Sequence, residues 1–134
     1  MSLPKREVVP LRSSSDIVLA RQKVRQWSID LHFSLVDQTK LVTAASELAR
    51  NALDYGKGGE MTIETLNSGA RAGLRLTFED QGPGIPDIEQ AMRDGYTSGS
   101  GMGLGLGGSK RLVNEFNIES EVGKGTKITV ARWK

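Results

Sequence analysis

Glycines crowd into one stretch of this chain, and that stretch has a chemistry. Of sixteen glycines none precedes Gly56 and none follows Gly125, while seven lie between Gly95 and Gly108. From Gly101 to Gly108 the text reads GMGLGLGG and runs into a helical pattern. Backbone N–H groups bare of side chains, beside the positive end of a helix, form a site for phosphate oxygens. A floppy loop uses glycine's freedom equally well, but the periodic Leu104, Leu106, Leu112 and Val113 favour order. A second group is Glu47, Asn51 and Asp54. They stand at i, i+4 and i+7 of a helical pattern, so all three project from one face, close to the apolar stripe of Leu41, Ala45, Leu48 and Ala52. Asp80 is the third feature. It continues the parity of Leu74, Leu76 and Phe78, so a carboxylate is aimed into the side of a sheet that should be dry.

The common phosphate motifs do not account for the glycines. A P-loop needs a lysine followed by serine or threonine, whereas Lys57 and Lys124 precede glycine and Lys110 precedes Arg111. Gly103 to Gly108 satisfies G-x-G-x-x-G, but no strand feeds it, and the H-R-D and D-F-G signatures of eukaryotic protein kinases are missing. Composition narrows the classes further. The 18 basic and 16 acidic residues are spread without a run of five like charges, and the seven aromatics are too few for a stacking surface, which argues against nucleic acid. There is no cysteine and a single histidine, His32, which excludes thiolate zinc sites, thiol nucleophiles and His-pair metal sites. No segment approaches the roughly 18 apolar residues that span a bilayer, and the N-terminus lacks an apolar h-region, so the expectation is a cytoplasmic chain without a membrane role.

These residues need elements to hold them. Residues 6–12 read as an opening strand, with Pro10 pointing to an edge. Ser13, Ser14, Ser15 and Asp16 offer N-caps to a first helix whose apolar face is Ile17, Ala20, Val24, Trp27 and Leu31. A second helix spans 37–55, carries Glu47, Asn51 and Asp54, and ends with Gly56 as its C′ residue. Strands over 60–66 and 73–79 form a hairpin around Asn67, Ser68 and Gly69. Pro86 then opens a short helix over 87–93, a third main helix covers 104–116, and strands over 118–122 and 127–133 pair across Gly123, Lys124 and Gly125. The order implies an α/β two-layer sandwich: a mixed, mostly antiparallel sheet with helices packed on one face, in a single domain over residues 1–134.

Four pieces of text now fall into one order: Glu47-Leu-Ala-Arg-Asn51 with Asp54, Asp80-Gln-Gly82-Pro-Gly84, the glycines from Gly101 to Leu106, and Gly125-Thr126. Together they closely resemble the N, G1, G2 and G3 boxes of the GHKL (Bergerat-fold) ATP-binding superfamily, which holds gyrase, Hsp90, histidine-kinase catalytic domains and MutL. The resemblance implies ATP and Mg²⁺. Magnesium keeps several waters, so one side-chain carbonyl, Asn51, plus phosphate oxygens is enough to hold it. Glu47, one turn earlier, can take a proton from a group attacking the γ-phosphate. Asp80 can accept from the adenine amino group, and Thr126, with the parity of Ile128 and Val130, can reach the same pocket. The resemblance adds Asp54, Gly82, Gly84 and Ile85 to the nucleotide site. Gly101, Met102, Gly103, Leu104, Gly105 and Leu106 become lid and phosphate cradle. Arg50 has two readings: an ion pair with Glu47, or a contact to substrate or γ-phosphate.

Within the superfamily, the dimerisation helix of histidine kinases and the transducer of gyrase-type ATPases do not fit in a chain of this length. Val36-Asp-Gln-Thr-Lys, Ser46-Glu-Leu-Ala-Arg-Asn, Glu79-Asp-Gln-Gly-Pro-Gly-Ile-Pro-Asp-Ile, Met92-Arg-Asp-Gly-Tyr and Lys110-Arg-Leu-Val-Asn-Glu-Phe resemble the bacterial switch kinases of the stressosome, the RsbT family. The lid text, Thr97-Ser-Gly-Ser-Gly-Met-Gly, departs from that pattern. The resemblance implies phosphorylation of a serine or threonine on STAS-domain scaffold or antagonist proteins, followed by binding and activation of a PP2C-type phosphatase. Two alternatives stand beside it: an anti-sigma factor kinase that sequesters a sigma factor, and a nucleotide-gated binding module without essential kinase activity.

Overall fold

The structure, a computed structural model, describes residues 5–54, 56–84, 92 and 105–134. The chain runs β1 (Arg6–Leu11), α1 (Ser14–Asp30), α2 (Leu35–Asp54), β2 (Gly59–Ser68), β3 (Arg71–Asp80), α3 (Gly105–Lys110), β4 (Glu115–Glu121) and β5 (Gly125–Trp133). The strands make one sheet in the order β1-β2-β3-β5-β4, and all four neighbouring pairs are antiparallel. The expected edge position of the Pro10 strand holds among the described residues, where β1 stands at the end of the strand order beside β2. The last strand in sequence lies between β3 and β4, so the β4–β5 hairpin adds to the sheet through its second strand.

Strand parity explains why α1 and α2 cover one face. Met61, Phe78, Ile128 and Ile118 form one row across β2, β3, β5 and β4, and Ile63, Leu76, Val130 and Phe116 form the next. The β2, β3 and β5 members of both rows are buried. Each such side chain contributes about 1.5–3 kcal/mol by leaving water, and the two helices supply the opposing surface. From α1 come Ile17, Ala20, Val24 and Ser28; from α2 come Leu41, Ala44, Ala45, Leu48, Ala49 and Ala52. Ser28 is a polar member that the apolar pattern passes over for Trp27. It is buried without penalty because its hydroxyl donates within 2.8–2.9 Å of the carbonyls of Val24 and Arg25. The opposite face of the sheet is polar, with Arg75 paired to Glu64 at 3.2 Å and Lys127 to Glu79 at 3.8 Å.

Three expectations need correction. First, α2 begins at Leu35, because the Ser34 hydroxyl accepts from the Asp37 N–H at 3.1 Å and caps the helix. Second, Gly56 is not the left-handed terminator of α2: positive φ falls on Lys57 (60°) and Gly58 (99°), and the Gly58 N–H closes on the Ala52 carbonyl at 2.9 Å. Third, the helix expected over 104–116 is six residues long, Gly105–Lys110. The Leu112 and Val113 N–H groups still reach back to Ser109 and Lys110, but the Asn114 N–H bonds the Ala131 carbonyl and the strand starts at once. Phe116, Ile118 and Ser120 then alternate toward the helices while Glu115, Asn117, Glu119 and Glu121 face water. Gly107 and Gly108 weaken a helix that the open edge of β5 outbids. The short helix expected over 87–93 lies outside the described residues, Met92 apart. Among the described residues no helix is long and apolar enough to cross a membrane.

Candidate active site

At the Asp80 end of β3 the two apolar rows of the helix-facing side are followed by the row Gly59, Asp80, Thr126 and Ser120, on β2, β3, β5 and β4. Its polarity is abrupt. A single step along each strand pair turns Phe78, Ile128 and Ile118 into a carboxylate and two hydroxyls. Asp80 is half-buried, and burial is the main influence on its carboxyl, pushing the pKa above the ordinary value. The backbone N–H groups of Gly82 and Thr126 act in the opposite direction, the former donating to Oδ1 at 3.0 Å. An acceptor held in a mostly apolar wall with two backbone donors fits a ligand that brings its own N–H.

Glycine is what lets the backbone close around this carboxylate. A Cβ on Gly56 would lie 2.3 Å from Asp80 Cγ, and one on Gly82 would lie 2.6 Å from the Gly56 Cα. Gly125 combines φ +96° with a Cβ position 2.1 Å from the Asp80 carbonyl oxygen, so both its conformation and its space require glycine. Gly56 is therefore a site residue that sequence reasoning took for a helix stop. Its own N–H bonds the Asn51 carbonyl at 3.3 Å, so the last turn of α2 is tied to Asp80 through it.

On α2, Glu47 and Asn51 are half-buried while Arg50 and Asp54 are exposed. Among the described residues no ion pair joins Glu47 to Arg50. Among them, too, no group of three His, Asp or Glu side chains can hold a metal. A donor set of one amide, Asn51, suits an ion that takes most of its oxygens from phosphate and water. Thr126 is buried at the row's centre, and its Oγ1 lies 2.9 Å from Ser120 Oγ. Ser120 is the second residue the sequence reading missed; its shared parity with Phe116 and Ile118 was the available signal. Leu106 packs into the core cluster and Gly105 opens α3. Ile85, Gly101, Met102, Gly103 and Leu104 lie outside the described residues.

An open cleft of ≈ 380 Å³ at this end of the sheet is lined by Asp80, Thr126 and Ser120 of the row and by Glu79, Glu119, Lys124 and Lys127 of the alternate positions, with the turn residues between them. Glu79, Lys127 and Glu119 alternate with Asp80, Thr126 and Ser120, so residues of both faces of the strand ends border this cleft. The candidate site is the helix side.

Comparison with known proteins agrees with this geometry. Residues 36–134 match the family described as histidine kinase-, DNA gyrase B-, and HSP90-like ATPase. The chain is 45% identical over 125 residues to serine/threonine-protein kinase RsbT of Bacillus subtilis, covering 93% of this chain and 94% of that protein. It is 32% identical over 134 residues to anti-sigma F factor of Clostridium acetobutylicum, covering 96% and 92% of the two. Among solved structures, the RsbU and RsbW domains of Rv1364c from Mycobacterium tuberculosis share the fold with a TM-score of 0.66 at 20% identity. That match covers 98% of this chain and 32% of that one. The polar row at the sheet end, the α2 residues tied to it and these likenesses lead to one assignment: the chain belongs to the histidine kinase-, DNA gyrase B- and HSP90-like ATPases.

Proposed function

We propose that residues 1–134 form a single-domain, cytoplasmic serine/threonine protein kinase that transfers the ATP γ-phosphate to a STAS-domain scaffold or antagonist protein. It then binds and activates a PP2C-type phosphatase. The observation that carries the reading is the tie between α2 and the polar row. The turn after Asn51 closes on Gly56, and Gly56 abuts Asp80, so one nucleotide can meet Asp80 and Thr126 with its base and the α2 face with its phosphates. The 45% identity to RsbT supports the kinase class.

In this reading Asp80 accepts from the adenine amino group, and Gly82 and Gly84 form the turn beside it, where an added Cβ would meet the backbones of Gly56 and Glu121. Asn51 and the phosphate oxygens would hold Mg²⁺, which when bound neutralises developing charge on the transferring phosphoryl group. Glu47 accepts the proton of the substrate hydroxyl as its oxygen bonds to γ-phosphorus and the bond to ADP breaks. Arg50, exposed one turn from the end of α2, meets the incoming substrate or the γ-phosphate. The likeness to anti-sigma F factor favours a second reading, in which the partner is a sigma factor held by the nucleotide-bound chain.

The test is incubation with radiolabelled ATP, Mg²⁺ and candidate STAS proteins, followed by mapping of the labelled residue. Glu47→Gln should keep ATP binding and slow transfer by about 10²–10⁴-fold. Unchanged transfer removes Glu47 from the mechanism, and label only on a sigma-factor antagonist selects the second reading.

A further inference from the structure

Arg132 stands at the opposite end of β5 from Thr126 and shares its parity, so it follows Ile128 and Val130 on the helix-facing side. There it is a crossing point. One guanidinium nitrogen donates to Asp37, in the first turn of α2, at 2.6 Å, and the other donates to the Leu112 carbonyl at 2.9 Å. Leu112 belongs to the exit of α3, because its N–H bonds the Ser109 carbonyl at 3.1 Å. One side chain thus joins β5, the start of α2 and the end of α3. The arrangement is not built for stability alone. The Arg132 side chain is 13% exposed, and among the described residues its buried Nε has no hydrogen-bond partner. An orphaned donor costs free energy, and pairs of this kind exchange for apolar side chains with little loss.

What the clasp supplies is register. α3 packs against α2, and its buried residues are Leu106, Gly107, Gly108 and Ser109. Four of the seven buried residues of α2 are alanines, Ala44, Ala45, Ala49 and Ala52. Helices take their relative placement from side-chain ridges fitted into grooves, and surfaces this smooth offer few ridges. We infer that Arg132 is a positioning residue for the phosphate side of the nucleotide site: by holding the start of α2 and the exit of α3 in one register, it fixes how Glu47 and Asn51 stand relative to Gly105. It acts through the helices and not by touching the ligand, since α2 rises about 21 Å from Asp37 to Asn51. The base side is independent of the clasp, because the β3–β5 register sets Asp80 beside Thr126.

This inference deepens the ATP-binding reading and rests on it. The experiment measures dissociation constants of the full chain for ATP with Mg²⁺ and for adenosine by NMR titration, with urea unfolding alongside. The double variant Arg132→Met, Asp37→Leu replaces both charges by apolar side chains, so no buried charge is left alone and the unfolding midpoint should stay near that of the wild type. Its affinity for ATP should nevertheless fall about tenfold, while adenosine binds within about twofold of wild type. Asp37→Asn keeps an acceptor for Arg132 and should bind ATP as the wild type does. Asp37→Ala frees α2 while leaving Arg132 on Leu112, and it should show the same selective loss if the double variant does not fold. ATP affinity within about twofold of wild type in the folded double variant or in Asp37→Ala overturns the inference alone. So does an equal loss for ATP and adenosine, which marks a purely structural role, or a wild-type chain that binds adenosine as tightly as ATP. A wild-type chain that binds neither ligand overturns the ATP reading and the inference with it.

Discussion

Replacing Asp80 by asparagine should separate binding from stability. Burial dominates the Asp80 carboxyl and raises its pKa, against the N–H groups of Gly82 and Thr126. A carboxyl whose folded pKa exceeds its unfolded one favours the fold most when protonated. Its contribution is complete below the ordinary carboxylate pKa and is lost as pH rises through the raised value. At pH 7 the ionised side chain is therefore a cost to the empty protein. Asparagine has nearly the same shape, keeps an oxygen for the Gly82 N–H at 3.0 Å, and carries no charge to desolvate. The empty variant should be as stable as the wild type at pH 7 or more so, and the difference should shrink as both are acidified.

Binding should move the other way. The carboxylate offers a ligand amino group a charge-assisted hydrogen bond, worth about 1.5–3 kcal/mol. At about 1.4 kcal/mol per factor of ten, losing that assistance weakens ATP by roughly ten- to 150-fold. Urea unfolding at pH 7 and pH 4.5 without nucleotide, together with calorimetric titration of a non-hydrolysable ATP analogue, gives both quantities on the same preparations. A variant that loses more than about 1 kcal/mol of stability when empty, or that binds nucleotide within twofold of wild type, refutes the reasoning. The first outcome would make Asp80 a structural cap of the Gln81–Gly84 turn, and the second would place the base elsewhere.

Gly56→Ala should act on the same carboxylate from behind. The added Cβ would stand 2.3 Å from Asp80 Cγ and 2.4 Å from its Cβ, so side-chain rotation alone does not clear it, and the strand end must shift. Overpacking of this kind costs about 1–3 kcal/mol, read by urea unfolding, and ATP affinity should fall at least tenfold in the same variant; full affinity would separate Gly56 from the site. Arg132→Met tests the far end of α2. Arg132 donates to the Leu112 carbonyl at 2.9 Å and to Asp37 at 2.6 Å, with side chains 13% and 27% exposed. The Arg132 hydrogen bond is the main reason the Asp37 carboxyl lies below its ordinary value. A lowered carboxyl stabilises the fold above its unfolded pKa and loses that contribution as pH falls through the folded value. The variant should be about 2 kcal/mol less stable at pH 7, with a shallower acid limb below about pH 4 in thermal unfolding; an unchanged acid limb would detach Asp37 from Arg132.

Faces were legible in the text, and neighbours were not. The period-2 pattern of Leu74, Leu76 and Phe78 puts Asp80 on the helix side whatever strand lies next to β3, and Thr126 follows Ile128 and Val130 by the same rule. That these two side chains meet depends on β5 entering between β3 and β4, an order fixed by matching whole apolar rows, which no single strand displays. Ser120 shows the limit most plainly. On its own strand it is one serine before a turn, and only the β4–β5 register sets it against Thr126. Gly56 fails for a related reason. Glycine after a helix has a sufficient local explanation, which conceals a stronger constraint from a side chain on another strand. The error over 104–116 arises differently, since Leu112, Val113 and Phe116 suit a helix while Phe116, Ile118 and Ser120 suit a strand. The exposed ladder of β5 decides between them by taking the Asn114 N–H at the Ala131 carbonyl, and the residues that follow gain a full set of backbone partners that a glycine-weakened helix could not match. The same pairing brings Ser120 to Thr126, so the element read wrongly from the text is the one that completes the polar row.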